Sequence, residues 1–172
     1  MAAGSAVTIL LLAALVAGAG AGGFTIVNMC PTMVYPAGLG LGLGWGLPPR
    51  DTMHFHVYGG GRIWGRTGCN FDADGRGHCE TGDCAGQQYC NVSGTPPATL
   101  AEFSLGDELD YYDVSVVDGF NVPMFFGCHD DGAPAIRCMD PSCPDANHHA
   151  DDGKIRTCIA NSGFYLLFCP WP

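Results

Sequence analysis

Residues Gly75 to Cys90 read GRGHCETGDCAGQQYC. The stretch holds Cys79, Cys84 and Cys90 among glycines and polar residues, with no apolar run at helical or strand spacing. The whole chain has 10 cysteines in 172 residues, a density odd for a reducing compartment and natural for a secreted, cross-linked fold. Ten cysteines allow hundreds of pairings, and spacing alone does not choose among them. It does suggest short local bridges, Cys69 to Cys79, Cys84 to Cys90 and Cys138 to Cys143. Cys30 and Cys169 lie near opposite ends of the chain. Tying them would remove the most denatured-state entropy, about 5 kcal/mol on the loop-closure model. Zinc is the rival use of cysteine, with His78, His129, His148 and His149 nearby. No C-x2-C pair exists, so neither a metal nor any other cofactor is expected.

Outward from that segment, the charge balance narrows the function classes. Lys and Arg number 7 against 17 Asp and Glu, a net charge of −10. That excludes a basic nucleic-acid footprint and makes anionic lipid a poor partner. Charged residues are only 14% and apolar ones 47%, which argues for a packed core rather than disorder. The first charged side chain is Arg50. Val7 to Ala17 reads VTILLLAALVA and is followed by GAGAGG. This run is too short to span a bilayer, which needs about 20 residues. It reads as a secretory leader of residues 1–21, cleaved after Ala21, with Ala19 as the runner-up site, although its start lacks Lys or Arg. The mature chain is then Gly22 to Pro172, one domain, without a stable membrane span, and extracellular.

Punctuation every 8 to 12 residues and scarce helical periodicity predict an all-β fold. Candidate strands are Phe24 to Val27, the alternating Met53 to Val57, Arg62 to Thr67, Tyr111 to Val117 and Phe164 to Phe168. Asp118-Gly119, Asp131-Gly132 and Asp152-Gly153 are turn signals. Gly38 to Gly46 reads GLGLGLGWG, and its backbone entropy predicts a loose loop or irregular strand. His54 and His56 share one strand face and read as solvated histidines.

The segment around Cys79 and Cys84 resembles the thaumatin-family signature, G-x-G-x-C-x-T-G-D-C followed by a further cysteine. Arg62 to Cys69 (RIWGRTGC), Pro97 to Phe103 (PATLAEF), Asp118 to Met124 (DGFNVPM), Cys143 to Ala146 (CPDA) and the ending FCPWP agree with that family. The resemblance implies a flattened antiparallel β-sandwich of about ten strands. It also implies five disulfides: Cys30–Cys169, Cys69–Cys79, Cys84–Cys90, Cys128–Cys158 and Cys138–Cys143. Cys128 and Cys143 stand too close to enclose the second domain of large members, so the chain is similar to the small ten-cysteine type. The segment Leu39 to Tyr58 matches the family poorly.

The family's acidic cleft maps by block onto Arg62, Glu102, Asp113 and Asp118, with Asp151 or Asp152 as the fifth member. Carboxylates accept hydrogen bonds from sugar hydroxyls, and clustered like charges raise one carboxyl's pKa. The bland alternative is ordinary strand-end and turn residues, since Asp118 precedes Gly119. Three functions follow. The resemblance implies a secreted plant defence protein, pathogenesis-related and antifungal, that binds fungal-wall β-1,3-glucan as a monomer in the apoplast. The second is an inhibitor of a microbial glycosidase such as xylanase, presenting Gly38 to Tyr58. The third is a weak endo-β-1,3-glucanase with Glu102 and Asp113 (or Asp118) as catalytic residues. Binding is favoured over catalysis, because a groove lacking one wall leaves both carboxyls solvated. Asn91-Val92-Ser93 is the N-glycosylation acceptor.

Overall fold

The computed structural model describes residues 21–130 and 132–171. The leader read from the sequence lies outside the described residues except for Ala21. Among the described residues there are twelve strands and no helix. In chain order these are β1 Ala21–Asn28, β2 Tyr35–Gly38, β3 Thr52–Tyr58, β4 Gly60–Arg66, β5 Asn70–Phe71, β6 Gly77–His78, β7 Leu100–Ser104, β8 Leu109–Ser115, β9 Met124–Cys128, β10 Ile136–Cys138, β11 Arg156–Ile159 and β12 Phe164–Phe168. Two five-stranded sheets form, ordered β10-β9-β12-β1-β3 and β11-β8-β7-β4-β2, beside a β5–β6 hairpin. Every pairing is antiparallel except that of β1 with β12, which is parallel.

The core lies between the two sheets and is aromatic at its centre. In β1 every second residue is buried, which sends Phe24 and Ile26 inward. The Phe24 ring meets Phe55 at 5.3 Å, Phe103 at 5.4 Å and Phe164 at 5.4 Å between centroids. Phe126 and Tyr112 close the cluster from β9 and β8. Each such ring contributes roughly 1.5–3 kcal/mol by burial. The buried Tyr112 hydroxyl donates to the Pro134 carbonyl at 2.7 Å, which removes the penalty for its polar end.

The expected strands occur with shifted ends. Met53 to Val57 lies within β3, an edge strand with Val57 buried and His54 and His56 exposed. The run Tyr111 to Val117 stops as a strand at Ser115, because the Val116 N–H turns to the Asn147 carbonyl. The loose loop expected over Gly38 to Gly46 is a loop, but an anchored one. Leu43 and Leu47 are buried in the core, and the Leu47 and Val34 main chains exchange two hydrogen bonds.

Five disulfides join Cys30 to Cys169, Cys69 to Cys79, Cys84 to Cys90, Cys128 to Cys158 and Cys138 to Cys143. The cysteine-rich segment follows from local chemistry. Thr81 Oγ1 lies 2.8 Å from Thr67 Oγ1. Gly82 has φ +67°, a Cβ there would stand 2.9 Å from Trp64 Cδ1, and its carbonyl accepts the Trp64 indole N–H at 2.8 Å. The Asp83 carboxylate accepts the main-chain N–H groups of Cys79 and Gly86. Cys84 then bridges to Cys90. Thus T-G-D-C is a structural device that seats one loop over the outer face of β4.

Candidate functional site

Register decides which side chains meet on the outer face of the second sheet. Arg62 on β4 pairs with Glu102 on β7, and Glu102 pairs with Asp113 on β8. Ile63, Ala101 and Val114, one residue along, point into the core instead. Three polar side chains therefore stand in a row across three central strands, about 5 Å between neighbours. Arg62 Nε lies 3.5 Å from Glu102 Oε1, with the two side chains 41% and 31% exposed. At that exposure the pair adds little stability, so its main effect is on orientation and charge.

Asp113 is the perturbed member. Partial burial, and then the neighbouring Glu102 charge, push its carboxyl up from 3.8 to about 6. The Asn147 side-chain amide opposes this by donating to Asp113 Oδ1 at 3.0 Å. Asn147 is itself sewn to β8: its N–H donates to Val114 O and its carbonyl accepts from Val116 N. Its side-chain oxygen accepts the Lys154 N–H. Near pH 6 Asp113 is present in both forms, able to donate or accept a hydrogen bond, while Arg62 donates only.

Two shallow depressions flank the row and share Arg62 and Glu102. One, about 240 Å³, is walled by Leu100, Ser115, Asp118, Asn147 and His149. The other, about 410 Å³, includes Asp113, Ser104, Tyr111 and Ile155. Tyr111 is 45% exposed and supplies an aromatic side chain to the depression that holds Asp113.

The structure thus sets Arg62 and Glu102 between Asp118, in one depression, and Asp113, in the other. Asp118 is both a turn residue and a groove wall: Gly119 after it has φ +84°, and its carbonyl accepts the Ala98 N–H. Asp151 is exposed and lines neither depression. Asp152 is occupied locally, because its Oδ2 accepts the N–H groups of His148 and His149, which lowers its pKa. The loop it closes presents His149 and Ala150 to the groove instead of a carboxylate. Sequence reasoning missed Asn147, His149 and Tyr111. Tyr111 alone carried a signal, by alternation with Asp113 along YYD. Asn91 is exposed in the loop after Cys90. Among the described residues no group of three or more His, Cys, Asp or Glu side chains is placed to hold a metal. Nor is any helix long and apolar enough to cross a membrane.

Residues 28–161 match the family model described as the Thaumatin family. The chain is 48% identical to a thaumatin-like pathogenesis-related protein 3 of Avena sativa, over 99% of this chain and 100% of that one. It is 46% identical to a thaumatin-like protein of Oryza sativa subsp. japonica, over 96% of each. A solved structure of a thaumatin-like xylanase inhibitor superposes with a TM-score of 0.72 at 33% identity, covering 86% of this chain and 99% of the other. With matches of that extent and five disulfides on a short all-β chain, this protein belongs to the thaumatin family, among its pathogenesis-related, thaumatin-like members.

Proposed function

We propose that this is a secreted defence protein whose outer sheet face binds a neutral wall polysaccharide, β-1,3-glucan, through Arg62, Glu102, Asp113 and Asp118. The observation that carries the reading is the three-strand row with Asp113 raised to about 6 beside an exposed Tyr111. Sugar hydroxyls need both acceptors and donors, and a partly protonated carboxyl beside an ionised one supplies both. The apolar face of a pyranose needs a flat ring, which Tyr111 offers. In this reading the leader ending at Ala21 directs the chain to the apoplast, Asn91 is available for glycosylation, and the protein acts as a monomer.

Binding without efficient hydrolysis is the expected behaviour. Glycoside cleavage needs one carboxyl kept acidic and a second held at a fixed distance around an enclosed sugar. Here both depressions are open and Glu102 is ion-paired at the surface. The test is sedimentation with insoluble β-1,3-glucan, run with a reducing-end assay on laminarin. Glu102→Gln/Asp113→Asn should reduce binding severalfold without lowering the melting temperature. Undiminished binding would remove the site from this face, and turnover lost in Glu102→Gln would make the protein an endo-β-1,3-glucanase.

Inhibition of a secreted glycosidase is the second reading, supported by the likeness to a thaumatin-like xylanase inhibitor. A xylanase assay separates it from the first, since inhibition needs no affinity for insoluble glucan.

A further inference from the structure

A second surface lies at the other end of the β4 outer face and shares no residue with the acidic row. Trp45 is 63% exposed and Tyr89 is 45% exposed. Their rings stand at 86° with centroids 5.9 Å apart. They border a depression of about 480 Å³ whose other side chains include Asp74, Arg76, Gln87 and Gln88. That volume falls in the range of small-ligand sites.

The aromatic pair is held in place from beneath. Arg66 is fully buried, and its guanidinium donates to the carbonyls of Gln87 at 2.9 Å and Gln88 at 2.8 Å. The Cys84–Cys90 bridge closes the loop beside Tyr89, and the Gln88 N–H donates to the Gly75 carbonyl. On the opposite side, a Cβ on Gly44 would stand 2.6 Å from Gln88 O and 2.8 Å from Tyr89 Cδ1. Only glycine lets the loop approach so closely, and the buried Leu43 and Leu47 fix it on either side of Trp45. Two large rings are thus held side by side with much of their surface in water.

From this geometry we infer a second carbohydrate site, in which a pyranose of a neutral β-linked polysaccharide lies against Trp45 and Tyr89. The sugar's C–H face meets the Trp45 indole, and the Tyr89 ring, at 86° to it, walls the sugar's edge. Its ring hydroxyls meet the amide of Gln87 and the opposite charges of Arg76 and Asp74, which supply donors and acceptors together. A charged ligand is disfavoured, because Arg76 and Asp74 present both signs at one rim. The fixed rings lose little entropy on binding. The site stands independently of the acidic face.

The experiment is a fluorescence titration of the full mature chain with laminarihexaose, cellohexaose and xylohexaose. Trp64 is buried, and Trp171 is as exposed as Trp45, so Trp171→Ala is the control. At least one hexaose should quench and blue-shift the emission. The change should vanish in Trp45→Ala and persist in Trp171→Ala. Calorimetric titration, which does not depend on Trp45 emission, should show binding about tenfold weaker in Trp45→Ala, with most of it recovered in Trp45→Phe. Glu102→Gln/Asp113→Asn should keep the Trp45-dependent change, which separates failure of this site from failure of the acidic face. The inference is overturned if no hexaose changes the emission, or if Trp45→Ala binds with unaltered affinity. It is also overturned if Trp45→Ala abolishes xylanase inhibition while sugar binding stays intact, since the partner would then be a protein.

Discussion

The acidic row starts from Arg62 and the aromatic platform is held by Arg66, about 13 Å along the same strand, yet they are built in opposite ways. The row sits on three hydrogen-bonded central strands, where register alone aligns the side chains. Its backbone is secure and its electrostatics are unfavourable, with Asp113 pushed to about 6. The platform sits on loops with almost no ladder beneath it. Its order comes from one buried guanidinium, one disulfide and one glycine. A strand can carry frustrated charges because its backbone is held independently of them. A loop has no such ladder, so there a guanidinium, a disulfide and a glycine are given over to holding the backbone.

Arg66→Met should have the largest effect, and it should break the platform first. It leaves the carbonyls of Tyr35, Gln87 and Gln88 without their buried donor. A buried acceptor left without its partner costs about 1–3 kcal/mol, and three are left here. Phe71, whose ring lies 5.3 Å from the guanidinium carbon, also loses its contact. Urea unfolding gives the size, and amide exchange gives the place. Residues 84–90 should lose protection before β7 and β8; uniform loss across both regions would erase the contrast.

Gly44→Ala comes next. The added methyl has no free space, and overpacking costs typically about 1–3 kcal/mol. Because Leu43 and Leu47 stay buried, the loop should shift at its tip, moving Trp45 off Tyr89. A Trp45 emission change with wild-type β-1,3-glucan binding would keep the two regions separate.

Asp113→Asn should have the smallest effect, and it should be favourable. The raised pKa means that protonated Asp113 favours the fold. That stabilising contribution is fully present below 3.8 and is lost as pH rises through about 6. At pH 7 the variant should therefore be more stable than the wild type, by on the order of 1 kcal/mol once solvent screening is allowed for. Near pH 4 the advantage should vanish. A stability difference independent of pH between 4 and 7 would mean that Asp113 carries no such frustration.

How much of this was legible depended on which force set each feature. β3 was readable from the apolar–polar alternation of MHFHV, and β1 and β12 from the short apolar and aromatic runs FTIV and FYLLF, whose burial alternates in the structure. β7 was not, since Glu102 interrupts LAEFS with a charge on the solvent side and prolines precede it. β9, MFFGC, is a nearly continuous apolar run whose strand character is decided by β12 and β10 on either side. Arg62, Glu102, Asp113 and Asp118 came from family blocks; composition alone would have left them as surface residues. Asn147 was invisible because its role needs a loop distant in sequence to close on β8. Asp151 was nominated where the loop in fact offers His149, since the Asp152 hydrogen bonds turn the chain there. The GLGLGLGWG run was read for its entropy, and what overrode that was the burial of Leu43 and Leu47.

The parallel pairing of β1 with β12 has a temporal side. The ribosome delivers β1 first and β12 last, with Cys30 and Cys169 139 residues apart. At about 5–20 residues per second, that interval is on the order of ten seconds. Throughout it, one edge of FTIV has no partner strand, and the Cys30 thiol waits while all the other cysteines emerge. The nascent chain must therefore be kept from adding a foreign strand at that edge and from closing Cys30 on an earlier sulfur. β12 and Cys169 complete both the sheet that β1 begins and its longest cross-link, so a chain truncated before Phe164 lacks the partner its first strand was made for.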